Sequence, residues 1–193
     1  MLVLASQSPR RREILERAGF EVIVRVSGIP EERLSGEHAD AYVRRLACAK
    51  AAAVRREPGE IILGADTVVV LGDEVLEKPR DSAHAIEILT MLSGVEHRVI
   101  TGICLRHEGG QICDVAETAV RFAVLSRPEI EGYVRSGEPR DKAGAYAIQG
   151  LAAKFIERID GCYFNVVGLP VSLVYRHLKE IGGGLMPGRI LPM

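Results

Sequence analysis

The chain has 193 residues, 47% of them hydrophobic, and its 25 Lys and Arg nearly balance 26 Asp and Glu for a formal net charge of −1. That length suits one domain, or one domain with a second lobe. The balance offers no global field for nucleic acid or an anionic membrane, and no stretch approaches the ~20 apolar residues of a membrane span.

Leu2–Ala5 reads as a short buried strand, and the apolar run at Met1–Ser6 is too short for a signal peptide. Ser8 is placed to cap a helix whose first position is Pro9, with Ile14, Leu15 and Ala18 as its apolar face and Gly19 as its stop. Arg10, Arg11 and Arg12 fall in the first turn, where the helix dipole disfavours cations. An anionic ligand removes that conflict, because guanidinium groups and unpartnered helix N–H groups both bind phosphate oxygens. The alternative is a solvated basic turn.

A strand follows at Glu21–Val26, then a loop from Ser27 to Glu37 with the acidic pair Glu31 and Glu32. Ala39–Arg56 reads as a helix whose apolar stripe of Tyr42, Val43 and Leu46 ends at Lys50, so that ammonium sits at a core edge or snorkels to water. Ile61–Leu71 has the β-branched content and length of a central strand. Alternation puts Ile62, Gly64, Asp66, Val68 and Val70 on one face and Thr67 on the other. A carboxylate among apolar neighbours is costly unless cations or donors meet it, and Gly64 leaves room for a close approach. Asp66 is either a functional acid or a strand-end residue bonding a local loop.

Lys78-Pro79 leads to a helix capped near Asp81 or Ser82, with Ala85, Ile86, Leu89 and Leu92 inward. Residues 96–106 and 111–125 predict two long strands with Gly109-Gly110 as their turn. A helix is expected over 127–135. Residues 137–150 mix charge, glycine and small side chains without helical period, the mark of a functional loop. Lys154–Ile159 and Cys162–Val167 read as strands, Pro170 opens a last helix to about 181, and a Gly-rich tail at 182–193 is expected to be mobile.

Cys48, Cys104, Cys113 and Cys162 form no Cys-x-x-Cys, and no His sits at zinc-finger spacing, so they read as buried thiols in a reducing cytosol. Cys104 and Cys113 are candidate cross-strand neighbours, as thiols rather than a disulfide. No P-loop, Gly-x-Gly-x-x-Gly, His-Glu-x-x-His or Gly-x-Ser-x-Gly is present, and His97 in its strand reads as structural. What remains is a set of cations (Arg10, Arg11, Lys50, Lys78, Lys142) and carboxylates (Glu31, Asp66, Asp141) at element ends. Such a set suits a phosphorylated substrate with Mg²⁺, which takes one or two carboxylates plus phosphate oxygens.

Ser6-x-Ser-Pro-Arg-Arg11, Gly64-Ala-Asp-Thr-Val-Val69, Lys78-Pro79, Leu92-Ser-Gly94 with His97 and Thr101-Gly102, Asp141-Lys-Ala-Gly144 and Asn165-Val-Val-Gly-Leu-Pro170 occur in order. Together they resemble the Maf family of nucleoside triphosphate pyrophosphatases, over residues 2 to about 181. The resemblance implies one domain at 1–181 with an α/β fold like that of the inosine triphosphate pyrophosphatases. In that fold a mixed, elongated and strongly twisted sheet is flanked by helices, with a cleft between two lobes. It implies hydrolysis of a nucleoside triphosphate to the monophosphate and pyrophosphate with Mg²⁺ or Mn²⁺, by a homodimer; the thiols, the near-neutral charge and the lack of a membrane-length apolar run add the expectation of a cytoplasmic protein with no stable nucleic-acid or membrane partner.

Carried onto this chain, the resemblance makes Asp66 the catalytic acid, as general base or metal ligand, and Glu31 or Glu32 a second acidic ligand. Arg10, Arg11, Lys50 and Lys78 match phosphate-binding cations, with Ser6 and Ser8 in the same loop. Thr67 and the Tyr146–Gln149 segment carry substrate choice. The Asp141–Gly150 form looks like the branch acting on dTTP and UTP, where Gln149 can offer a donor and an acceptor to a pyrimidine edge. The competing readings are a 7-methyl-GTP pyrophosphatase of the same family and a non-catalytic regulator of cell division.

Overall fold

The computed structural model describes residues 1–182. It is a mixed α/β structure with strands β1 (Leu2–Leu4), β2 (Val22–Val24), β3 (Ile61–Leu71), β4 (Glu74–Leu76), β5 (Glu96–His107), β6 (Gly110–Phe122) and β7 (Ile156–Asp160). The helices are α1 (Pro9–Arg17), α2 (Ala39–Ala53), α3 (Ser82–Leu92), α4 (Arg127–Arg135), α5 (Tyr163–Val167) and α6 (Val171–Glu180). The strand order is β2-β1-β3-β5-β6-β7, with β4 also on β3. β1 runs parallel to β2 and β3, whereas β4 pairs with β3 and β7 with β6 antiparallel. None of the helices among the described residues is long and apolar enough to cross a membrane. The Gly-rich tail expected from 182 lies, apart from Gly182, outside the described residues.

The chain divides into two compact units. Among the described residues, the first comprises Met1–Asp66, Thr101–Ala116 and Gly168–Gly182; the second comprises Thr67–Ile100 and Glu117–Val167. β3, which belongs to the first unit up to Asp66 and to the second from Thr67, is buried along nearly its whole length, as its run of β-branched residues requires. α2 lies against it. A Cβ at Gly64 would collide with Ala47 O and sit 2.8 Å from Ala51 N, and one at Gly102 on β5 would sit 2.7 Å from Arg44 N. Glycine at both positions lets the helix backbone rest directly on the strands. α2 ends at Ala53, short of the expected Arg56, where Val54 turns extended.

The second unit has its own core, including Val69, Leu89, Leu92, Val99, Phe122, Tyr133, Tyr146 and Phe155. Asp81 caps α3, accepting from His84 N at 2.8 Å, as its place before the apolar stripe predicts. The hairpin turn is Glu108–Gly109 rather than Gly109-Gly110; Gly110 already begins β6 with φ 133°. Val124 lies beyond the end of β6 and is 85% exposed.

Cys162–Val167 is not a strand. Residues 163–167 form a helical turn because Asn165 must face inward. Its buried Nδ2 donates to Val99 O at 2.9 Å and Thr118 Oγ1 at 3.0 Å, while Tyr163 and Phe164 turn outward. A short apolar run does not distinguish strand from helix; the amide's demand for partners does.

Candidate active site

The tight turn from β1 into α1 supplies the first group. Ser8 occupies the cap position with Pro9 following it, but the Ser8 hydroxyl makes no capping bond. Ser8 N instead donates to Ser6 Oγ at 3.2 Å. Ser6 Oγ also accepts from Arg11 Nη1 at 3.1 Å. Arg11 is buried and turned inward, donating from Nη1 to Ala65 O and from Nε to Gly168 O, both at 2.9 Å. One guanidinium thereby ties α1 to β3 and to the chain entering α6. Arg10, beside it, is half-buried.

Asp66, next to Ala65 on β3, is buried at 6% exposure. Its Oδ1 lies 2.6 Å from Lys50 Nζ. The same Nζ lies 2.6 Å from Glu31 Oε1. Lys50 therefore ends the apolar stripe of α2 as a buried group and does not snorkel. Of the two acidic candidates, Glu31 brings its carboxylate to Lys50. Glu32 is exposed, and its carbonyl accepts from Arg45 Nη2 at 2.9 Å. Tyr42 on α2 holds the loop by donating to Glu31 O at 3.0 Å.

Electrostatics follow from burial. Desolvation raises the Asp66 pKa above the ordinary carboxylate value; the Lys50 and Arg11 charges oppose the shift without cancelling it, and Glu31 adds to it. Desolvation likewise lowers Arg11, against the pull of Asp66 and Glu31. Two carboxylates reaching one ammonium form a donor set that faces a common cation. Hard oxygen ligands of that kind suit Mg²⁺ or Mn²⁺. The first unit thus gathers Ser6, Ser8, Arg11, Glu31, Lys50 and Asp66.

Thr67, Lys78 and Gln149 belong to the second unit. Thr67 directly follows Asp66 on β3, and Lys78 is exposed in the loop after β4. Residues 137–150 are not featureless but fold into short 3-10 turns at Glu138–Asp141 and Ala143–Ala145. Gly144, at φ 68°, lies so close to Val69 that a Cβ would be 2.7 Å from its Cγ2. Tyr146 is a core residue, bonded to His97 Nε2 at 2.8 Å and packed edge-on against Phe122. Ala147 and Ile148 are buried too, so within 146–149 only Gln149 presents its side chain to solvent. Burial lowers the His97 pKa to about 4, consistent with its structural reading. Lys142 is engaged locally with Glu138 O at 2.7 Å and Asp141 Oδ1 at 2.6 Å.

The family model described as Maf-like protein matches residues 1–181. The chain belongs to the Maf family. Similar proteins include the dTTP/UTP pyrophosphatase of Symbiobacterium thermophilum, 47% identical over 188 residues covering 97% of each chain. Those of Geobacter sulfurreducens, covering 94% of this chain and 96% of that one, and of Salmonella typhimurium, covering 93% and 92%, are each 50% identical. Among solved structures, the Staphylococcus aureus Ham1 protein superposes with a TM-score of 0.52 at 14% identity, over 93% of this chain and 98% of that one. A HAM1 protein from Coxiella burnetii gives 0.51 at 16% identity over the same shares. The Maf chain therefore has the Ham1-type fold expected of it.

Proposed function

We infer that this Maf protein is a nucleoside triphosphate pyrophosphatase, hydrolysing dTTP and UTP to the monophosphate and pyrophosphate. Relatives of that name at about half identity over nearly the whole chain support the substrate class. The observation that carries the chemistry is the buried Asp66 carboxylate, raised in pKa by desolvation and held 2.6 Å from Lys50 Nζ. A carboxylate so placed accepts a proton from the attacking water as the α–β phosphoanhydride bond breaks and pyrophosphate departs. Arg11, fixed by three hydrogen bonds, supplies positive charge that needs no reorganisation as negative charge moves onto phosphate oxygens. Arg10, Lys78, Ser6 and Ser8 are assigned to the phosphates, and Thr67 and Gln149 to substrate choice.

Asp66 and Glu31 are the residues that would hold Mg²⁺ or Mn²⁺. Such an ion, when bound, neutralises phosphate charge and polarises phosphoryl oxygens. Lys50 competes for the same oxygens and keeps the two acids oriented in the free protein. The protein is further proposed to act in the cytoplasm, where reducing conditions preserve its free thiols, and as the homodimer that family resemblance implies.

The test is pyrophosphate release from a panel of nucleoside triphosphates with Mg²⁺, Mn²⁺ or EDTA. Metal-dependent release favouring dTTP and UTP is expected, and Gln149→Ala should erode that preference more than it lowers total turnover. Preference for 7-methyl-GTP would keep the mechanism and discard the pyrimidine assignment. No release from any nucleotide would remove the catalytic reading.

A further inference from the structure

Cys48, Cys104 and Cys113 come from α2, β5 and β6, and their sulfurs meet. Cys113 Sγ lies 2.8 Å from Cys48 Sγ and 2.9 Å from Cys104 Sγ. All three sulfurs fall within 4.8 Å of one another, and all three are free thiols. Cys104 and Cys113 stand equally far from the Glu108–Gly109 turn, which sets them across the hairpin from each other. The surroundings are apolar: Val3, Ala5, Ala47, Ala51 and Ile62 belong to the same cluster. Thiols are weak donors and weak acceptors, so hydrogen bonding alone rewards this crowding poorly. A thiophilic cation rewards it well.

We propose that Cys48, Cys104 and Cys113 form a three-thiolate binding site for a thiophilic divalent cation of the Zn²⁺ type. Soft sulfur donors without a carboxylate or histidine select such ions over the hard Mg²⁺ suited to Asp66 and Glu31. Charge agrees with this choice. Three thiolates around a divalent ion leave a single negative charge, and Arg44, whose Nη1 donates to Cys113 O at 3.2 Å, brings one positive charge beside it. Sulfurs at about 2.3 Å from one Zn²⁺ lie about 4 Å apart in a trigonal arrangement, so Cys113 Sγ withdraws from each neighbour by about 1 Å on binding. Cys104 is buried, whereas Cys48 and Cys113 are half-buried and give the ion its entry.

Binding exchanges three S–H bonds for three S–metal bonds and releases three protons to solvent; no atom changes oxidation state. Burial pushes the Cys48 thiol up to about 11 and Cys104 higher still, which keeps those two thiols protonated in the metal-free protein at neutral pH. Affinity therefore falls steeply as pH falls. The site shares no residue with the pyrophosphatase assignment, and its test is independent of that reading.

The experiment titrates the whole protein, reduced and metal-free, with Cd²⁺, following sulfur-to-metal charge-transfer absorbance and proton release in weak buffer. Saturation at one ion per chain, reversed by Zn²⁺, is the expected result. Cys113→Ser should lose the band, and Cys162→Ser, in the second unit, should keep it. Because a serine variant can lose its fold, X-ray absorption of the Zn²⁺-loaded wild-type protein counts sulfur ligands directly, and three are expected. Absence of the band in the wild type, its persistence in Cys113→Ser, or a shell of oxygen and nitrogen alone would each overturn the proposal. So would air oxidation to a disulfide at the same rate with and without saturating Zn²⁺.

Discussion

Lys50 Nζ stands 2.6 Å from Asp66 Oδ1 and 2.6 Å from Glu31 Oε1, so one ammonium from α2 joins the acid of β3 to the acid of the β2–α2 loop. The pair Lys50–Asp66 is buried on both sides, at 7% and 9% side-chain exposure. Removing Lys50 leaves a buried carboxylate without its nearest cation, whereas removing Asp66 leaves Lys50 still paired with Glu31.

Asp66→Asn keeps the shape and removes the proposed base. kcat/KM for dTTP should fall by about 10²–10⁴-fold, the usual contribution of a positioned proton acceptor. Circular dichroism and the thermal midpoint should show a folded protein. Retention of most metal-dependent turnover in a folded Asp66→Asn variant would rule out the role given to this carboxylate.

Lys50→Met preserves the aliphatic stem and deletes the charge that opposes the desolvation of Asp66. Breaking a buried ion pair from one side costs about 3–5 kcal/mol, measurable by urea unfolding. In the metal-free protein, carboxyl NMR should show Asp66 ionising above the ordinary aspartate value of about 3.9 in the wild type, and higher still in Lys50→Met. An Asp66 signal that titrates at the same pH in both proteins would show that Lys50 does not oppose its desolvation.

His177 on α6 makes a second pH-dependent tie. Its Nε2 lies 2.9 Å from Asp114 Oδ2 and its Nδ1 2.8 Å from Glu180 Oε2. Burial lowers its pKa, but hydrogen bonds to Glu180 and Asp114 outweigh that and leave it raised. A folded-state pKa above the unfolded one means the native protein holds the proton more tightly. The stabilisation is therefore complete below the unfolded value of about 6.5 and is lost as pH rises through the folded value, at up to about 1.4 kcal/mol per pH unit. In urea titrations across that window, His177→Gln should flatten the dependence; an unchanged slope would assign it to other groups.

Gly64→Ala tests the seat of α2. The added methyl meets helix backbone at Ala47 and Ala51, which no rotamer change relieves. Overpacking of this kind costs about 1–3 kcal/mol and more where backbone must shift. Because α2 carries Lys50, turnover should fall along with the unfolding midpoint.

The sequence exposed Asp66 as an anomaly because a carboxylate inside a β-branched run has few inexpensive explanations. The β1–α1 turn was legible for a similar reason: arginines in the first turn oppose the dipole. Lys50 was only half legible. A lysine at the end of an apolar stripe is compatible with burial or with snorkelling, and the partner that decides, Glu31, sits in a loop without period. Tyr146 looked like part of a recognition segment, yet His97 and Phe122 claim it for the core through contacts distant in sequence. Of the three thiols, the Cys104–Cys113 pair was legible across its hairpin, whereas Cys48 was hidden for the same reason as Tyr146, since it lies 65 residues from Cys113.

The backbone-to-backbone seat of α2 on Gly64 and Gly102 has an evolutionary corollary. A joint without side chains has no methyl groups to trade, so drift cannot retune the Lys50–Asp66 spacing by small steps. If Gln149 has the role proposed for it, variation in substrate preference is expected in segments that end in exposed side chains, such as the one presenting Gln149. Directed evolution libraries that spare residues 43–51, 64 and 102 and diversify around 149 should keep a far larger fraction of folded, active clones than libraries built the other way round.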